Sequence, residues 1–146
     1  MSTSTFVFPS AEWAKRYGEV LDQDEEYRKH GETWTFGAVA LVVKKRPEIG
    51  HLNDVGVWLD IEGGRCREGR ACSSEETADA PFCITGEYDR WKQVIRGELD
   101  PVKGMLQGKL KLRGNMLVIV RYVRAAKAMV AAASKVETRF LDEGSP

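Results

Sequence analysis

Side-chain catalysis needs a nucleophile, a base or a set of metal ligands at workable spacing, and this 146-residue sequence offers few such groups. Its two histidines, His30 and His51, lie in polar stretches with no cysteine, histidine or carboxylate at ligand spacing, so no metal site is expected. Cys66, Cys72 and Cys83 are odd in number and include no C-x-x-C pair, which points to reduced, partly buried thiols instead of a disulfide framework or a zinc knuckle. Neither G-x-S-x-G nor H-E-x-x-H occurs. The segment from Gly104 to Leu110, GMLQGKL, has the wrong spacing for a phosphate loop, lacks Ser or Thr, and precedes a strand instead of following one. Asp60 sits on a strand between apolar neighbours, as a general base could, but has no identified partner. No catalytic residue and no cofactor is assigned, and a binding protein is expected in place of an enzyme.

Composition bounds the alternatives. Hydrophobic residues make up 42% of the chain and charged residues 30%, as expected for one globular domain. Twenty-two Lys and Arg balance twenty-two Asp and Glu, so the basic excess usual in nucleic-acid binders is missing. The longest charge-free apolar run, Thr33 to Val43, is far shorter than the roughly 20 residues of a membrane-spanning helix. No targeting signal is read at either end, and a cytoplasmic protein is expected. The zero total conceals an asymmetry. Residues 1–33 hold seven acidic and four basic groups, net −3, whereas residues 109–139 hold eight basic groups and Glu137 alone, net +7. Arg121, Arg124 and Lys127 on that basic face are candidates for transient contact with an anionic membrane, unless the charge is solvated or the acidic N-terminal segment docks there.

The elements that would position a site follow from periodicity. Ser10 can cap a helix carrying Trp13, Tyr17, Val20 and Leu21 at helical spacing, with a further turn or two before Gly31. Trp34 to Val43 reads as a central strand, apolar on both faces. Val55, Val57, Leu59 and Ile61 alternate with Gly56, Trp58 and Asp60 in a second strand, and Gly63-Gly64 turns the chain into a charged edge strand, Arg65 to Cys72. A short strand from Pro81 to Thr85 leads into a helix with Tyr88, Trp91 and Ile95, capped by Thr85 or Gly86 and stopped at Gly97. Asp100-Pro101 starts a short helix with Val102, Met105 and Leu106 inward. KLKLR forms a fifth strand, and Asn115 caps a single long last helix whose apolar face runs from Val118 to Ala133, with Leu117 and Val120 outside that stripe.

One segment is more specific. From Phe82 to Arg121 the chain resembles the sterol carrier protein 2 (SCP2) domain family, whose pattern is a short strand, a helix ending in Gly, D/N-P, a short helix ending in Q-G-K-L-K, and G-N or G-D before the last helix. Gly97, Pro101, Gln107, Gly108, Lys109, Leu110, Lys111, Gly114 and Asn115 stand where the pattern wants them. Trp58 and the upstream hairpin fit less tightly. The first helix is not covered by the resemblance, and the long basic last helix exceeds the short one of free-standing carriers.

The resemblance implies an α+β fold, a five-stranded mixed or antiparallel sheet covered on one face by helices. It further implies an apolar tunnel between the layers for sterol, fatty acid, acyl-CoA or other lipid. One domain is expected over residues 1–146, with a helical N-terminal extension at 1–32 and a core at 33–136. The candidate lining is Trp58, Phe82, Trp91, Met105, Leu106, Met116, Leu117 and Val120, each of which could equally be plain core, with Gln107 as the polar contact. The function implied is non-enzymatic lipid binding and transfer. The alternatives are an accessory module that presents a lipid-like substrate to a partner enzyme, and a hydrolase using Asp60.

Overall fold

The computed structural model describes residues 5–143. A three-residue strand, β1 (Phe6–Phe8), leads into α1 (Ala11–Gln23), where the Ser10 hydroxyl accepts from the Trp13 N–H at 3.1 Å. Trp13, Ala14, Tyr17 and Leu21 form the buried stripe of α1. Asp24 then caps α2 (Glu25–His30) by accepting from the Tyr27 N–H at 2.9 Å, and Gly31 ends that helix. The sheet comprises β2 (Val39–Val43), β3 (Val55–Glu62), β4 (Arg65–Cys72), β5 (Phe82–Gly86) and β6 (Lys111–Arg113), in the spatial order β4-β3-β2-β5-β6. Only the β2–β5 pair is parallel; the others are antiparallel. The architecture is therefore α+β with a mixed five-stranded sheet, as expected.

Register gives the sheet its two faces. Leu41 lies opposite Val57 on one side and Ile84 on the other, so the odd positions of β2, Val39, Leu41 and Val43, share the inner face with Val57, Leu59 and Ile61. Ala40, Val42, Trp58 and Cys83 point the other way and form a small second cluster with Ala80. The remaining helices, α3 (Tyr88–Ile95), α4 (Pro101–Leu106), α5 (Met116–Arg121) and α6 (Val123–Ser134), follow β5 and β6, and β7 (Thr138–Phe140) closes the chain by pairing with β1 in parallel. The Tyr88 hydroxyl ties this ribbon down, donating to Phe8 O at 2.6 Å and accepting from the Leu141 N–H at 2.9 Å.

Several expectations change in detail. The central strand covers only Val39–Val43: Gly37 has φ +96°, and the Trp34 indole N–H donates to Gly37 O at 2.8 Å, so the chain turns before it pairs. The expected single last helix is two, broken at Tyr122 (φ −111°, ψ 32°), whose hydroxyl bonds the Thr33 backbone oxygen at 3.1 Å. Asp100 and Asn115 cap their helices as read, whereas α3 starts after Glu87 without a side-chain cap. Leu106, expected inward, is 66% exposed. The β1–β7 ribbon was not expected, because three-residue strands carry too little alternation to register. Among the described residues, no helix is long and apolar enough to cross a membrane.

The N-terminal helix is packed into the core instead of lying beside it: Trp13, Tyr17 and Leu21 belong to the same buried cluster as Val57, Leu59 and Ile84. Two glycines allow this. A Cβ on Gly18 would lie 2.6 Å from Gly69 N, and one on Gly69 would lie 2.5 Å from Ala14 O, so α1 rests backbone to backbone on β4. Charge adds a second tether, since the buried Asp24 carboxylate pairs with the Lys135 ammonium at 3.0 Å and joins the acidic α2 to the basic end of α6.

Two outcomes are predicted. Gly18→Val should lower stability by about 1–3 kcal/mol through overpacking against β4, seen as a lower urea midpoint at unchanged m. Burial pushes the Asp24 carboxyl up, but the Tyr27 N–H and Lys135 ammonium outweigh burial and hold it below the ordinary value. A depressed folded-state pKa stabilises above the unfolded value of about 4 and loses that stabilisation as pH falls through the folded value. Asp24→Asn keeps a capping oxygen but loses the charge. It should cost about 1–2 kcal/mol at pH 7, discounted because Lys135 is largely solvated, and the difference from wild type should shrink as pH falls below about 4 in urea titrations.

Candidate functional site

The inner face of the sheet and the helices do not meet flush. Between them lies a cavity of about 120 Å³. Its sheet wall is Val39, Leu41, Val43, Val57, Leu59, Ile61 and Ile84, the alternating positions whose parity the register fixes. Its helix wall includes Trp13 and Tyr17 from α1, Tyr27 from α2, Trp91 from α3, Met105 from α4, Ile119 from α5, and Ala126, Met129 and Val130 from α6. Every lining residue is uncharged.

Most of the aromatic wall residues point hydrogen-bonding atoms at the protein, which fixes their rings. The Trp13 indole N–H donates to Thr138 Oγ1 at 2.9 Å, that of Trp91 to Val42 O at 2.9 Å, and that of Trp34 to Gly37 O at 2.8 Å. The Tyr17 hydroxyl donates to Met129 O at 2.8 Å, linking α1 to α6 across the cavity wall. Burial pushes the phenol of Tyr17 well above its ordinary range, so it remains a neutral donor. Near the break between α5 and α6, Trp34 packs edge-on to Tyr122, with centroids 5.0 Å apart, and against Phe82 at 5.2 Å. Flexible thioethers at Met105 and Met129 and the small side chains of Ala125, Ala126 and Ala133 complete a wall that can yield more easily on the helix side than on the sheet side.

The candidate residues read from sequence divide. Trp91 and Met105 are in the cavity wall. Phe82 is buried on the inner face but stands behind Trp34. Met116 is half-buried against the core without lining the cavity. Trp58 is on the opposite face of the sheet, under the Arg70 guanidinium at 5.2 Å, because it alternates with Val57 and Leu59 along β3. Gln107 is an exposed residue at the C-cap of α4, outside the wall. Leu106, Leu117 and Val120 are exposed at the surface, at 66%, 76% and 44%. Asp60 is bound to Arg67 at 2.9 Å on the side of β3 away from the cavity, a structural ion pair. The lining residues that sequence reasoning left out of the site include Trp13, Tyr17 and Tyr27 from the N-terminal helices, Trp34, Tyr122, and the inward positions of the sheet and of α6. The stripe of α1 and the inward face of the last helix were readable signals for them.

The thiols carry no chemistry into the cavity. All three cysteines are free, and burial together with the nearby Asp22 carboxylate pushes the Cys66 thiol up to about 12, far from a reactive thiolate. Among the described residues no group of His, Cys, Asp and Glu could hold a metal ion. What the arrangement can do is enclose an apolar body.

Comparison with known proteins follows the same lines. A family model described as the SCP-2 sterol transfer family matches residues 18–127. A crystal structure of sterol carrier protein 2 is 34% identical, covers 87% of this chain and 97% of its own, and superposes with a TM-score of 0.80. The solution structure of a conserved hypothetical protein from Thermus thermophilus is 33% identical over 94% of each chain, with a TM-score of 0.82. Sterol carrier protein 2 from Yarrowia lipolytica, in its apo form, shares the fold at 15% identity and a TM-score of 0.54, covering 85% of this chain and 88% of its own. A search of the curated proteins found no match.

Proposed function

Since the chain belongs to the SCP-2 sterol transfer family, a lipid-binding fold, we propose that it carries a lipid whose apolar body lies between the sheet and the helices, with no covalent step. The observation that carries this reading is the cavity between sheet and helices with a wholly uncharged wall. Each methylene moved from water into such a wall gains about 0.8 kcal/mol, and an acyl chain or sterol thus gains ample gross driving force before the cost of association is subtracted. Sterol, fatty acid, acyl-CoA and other lipids share this feature.

Size sets the mechanism. A hydrocarbon-lined cavity of roughly 150 Å³ admits benzene, while sites for larger ligands run to about 300–1,000 Å³. At about 120 Å³ the cavity is smaller than such sites and must widen around a lipid. The sheet wall is hydrogen-bonded into a ladder and the aromatic rings are pinned, so widening falls to Met105, Met129 and the short helices α4 and α5.

The outer surface of those short helices supports a route for exchange. Leu106 is the chain neighbour of Met105, and Leu117 and Val120 flank Ile119 on α5, so exposed apolar groups stand on the same helices that wall the cavity. Arg121, Arg124 and Lys127 follow directly, and among the described residues none of the three has a carboxylate partner within ion-pairing distance. In this reading the α5 surface rests on an anionic membrane while ligand passes, with Leu117 and Val120 in the interface and the cations over the headgroups.

Two measurements test it. Solvent extraction of the purified protein with mass spectrometry should recover a lipid, and Ala126→Trp, which fills the wall, should lower the affinity for an added fluorescent fatty acid at least tenfold while the fold persists. No extracted lipid and no binding by the wild type would sink the carrier reading. In co-sedimentation with phosphatidylglycerol-containing vesicles, reversing the charge of Arg121, Arg124 and Lys127 to Glu should weaken binding by about a hundredfold or more, given about 1 kcal/mol per cation. Fatty-acid binding without vesicles should stay as in the wild type.

A further inference from the structure

Between the end of α2 and the start of β2, residues 31–38 form a short strap that no helix or strand includes. Two of its residues, Gly31 and Trp34, belong to the cavity wall. The strap meets the helix side of the wall at the break between α5 and α6. There the Tyr122 hydroxyl lies 3.0 Å from Thr33 Oγ1 and donates to Thr33 O at 3.1 Å, and its ring packs edge-on against Trp34. Trp13, Tyr17 and Trp91 donate to other elements, which holds them to the frame. The Trp34 indole donates instead to Gly37 O, inside the strap, so this ring travels with the strap. Glycines bound the segment, Gly31 at one end and Gly37, with φ +96°, at the other, and small residues at the ends of a segment suit a hinge.

Phe36 stands on the outside of this latch. Its ring is 37% exposed, yet it packs at 5.2 Å on Trp34 and at 6.0 Å on Tyr122, the two wall rings that meet there. The Arg121 guanidinium lies 6.0 Å from its ring centroid. Arg121 follows Val120 and stands one turn of α5 beyond Leu117, so Phe36 is continuous with the exposed apolar and cationic surface.

We propose that Phe36 is a membrane-operated trigger: entering an anionic bilayer beside Leu117 and Val120, it draws the strap off Tyr122, frees the junction of α5 and α6, and lets the cavity widen there. The proposal rests on the carrier reading above and adds its regulation, since release of lipid becomes conditional on membrane contact. In water the Phe36 ring gains by lying against Trp34 and Tyr122, which keeps the strap down. In hydrocarbon that gain disappears, because packing ring on ring no longer removes apolar surface from water. The membrane as occupant follows from charge. Arg121, Arg124 and Lys127 border the apolar groups and, among the described residues, have no carboxylate within ion-pairing distance, which suits anionic headgroups over hydrocarbon.

The test loads the protein with dansylundecanoic acid and follows its transfer to phosphatidylglycerol vesicles carrying an energy-transfer acceptor, up to concentrations at which co-sedimentation shows all the protein bound. Phe36→Ala should bind the probe in solution within about twofold of the wild type, yet release it to saturating vesicles about tenfold more slowly. Tyr122→Phe, which removes the hydroxyl latch to Thr33, should release the probe without vesicles, into excess oleate, about threefold to tenfold faster, the net worth of one hydrogen bond. A wild-type rate for Phe36→Ala on saturating vesicles overturns the proposal, as does an unchanged rate for Tyr122→Phe without vesicles, and in both cases the carrier reading stands. Wild-type transfer that does not rise with vesicle concentration also overturns it and assigns the surface to a protein partner. Failure of the wild type to bind the probe overturns the carrier reading and this proposal together.

Discussion

An unfilled space in a protein interior is unfavourable, and the rest of this structure is arranged around tolerating one. At about 24 cal/mol per Å³, a cavity of about 120 Å³ costs about 3 kcal/mol relative to a filled core. Helices free to settle would collapse onto the sheet and recover that loss. They are held off by groups that fix large rings in place: the Trp91 indole is bound to β2 through Val42 O, the Tyr17 hydroxyl to α6 through Met129 O, and the Trp13 indole to β7 through Thr138. Each of these bonds satisfies a buried donor and, in the same contact, sets a distance between two layers.

The frame around the cavity is closed at the chain ends. The β1–β7 ribbon brings Phe8 and Phe140 together at 6.0 Å, and Lys92 pairs with Asp142 and Glu143 just beyond it. Tyr88, on α3, holds β1 and the residue that follows β7 through one oxygen. On the other side the Gly18–Gly69 contact brings α1 against the edge strand, which is why Tyr17 and Leu21 reach the core at all. A longer side chain at either glycine would move the helix outward and alter the cavity wall as well as the stability. The dependence runs from two missing Cβ atoms to the position of a tyrosine hydroxyl on α6.

Much of the fold was legible because its signals are local. Ser10, Asp100-Pro101 and Asn115 announce three helix starts by side-chain chemistry, and the parity of Val57, Leu59 and Ile61 announces an inner face before any partner is known. The site was less legible, because cavity lining and solid core have the same composition. Trp58 shows the difference between size and direction: its bulk suggested lining, but its own place in the alternation put it outside. Leu106, Leu117 and Val120 were read as lining from their apolarity, although the last two already fell outside the helical stripe. The turn at Gly37, the break at Tyr122 and the approach of Gly18 to Gly69 depend on tertiary contact and leave no periodic trace.

The charge pattern bears on how a carrier could let go. Within a net charge of zero stand an acidic N-terminal segment, net −3, and a basic C-terminal one, net +7, and the Asp24–Lys135 pair joins the two without consuming Arg121, Arg124 or Lys127. A protein that exchanges lipid with a bilayer must bind the surface and also leave it. Two exposed aliphatic side chains at about 1.5–3 kcal/mol each when fully buried, and three cations at about 1 kcal/mol each, set an upper bound well short of permanent anchoring. Partial insertion and screening over a Debye length of about 8 Å reduce it further. The surface on α5 and α6 therefore has the strength of a reversible contact.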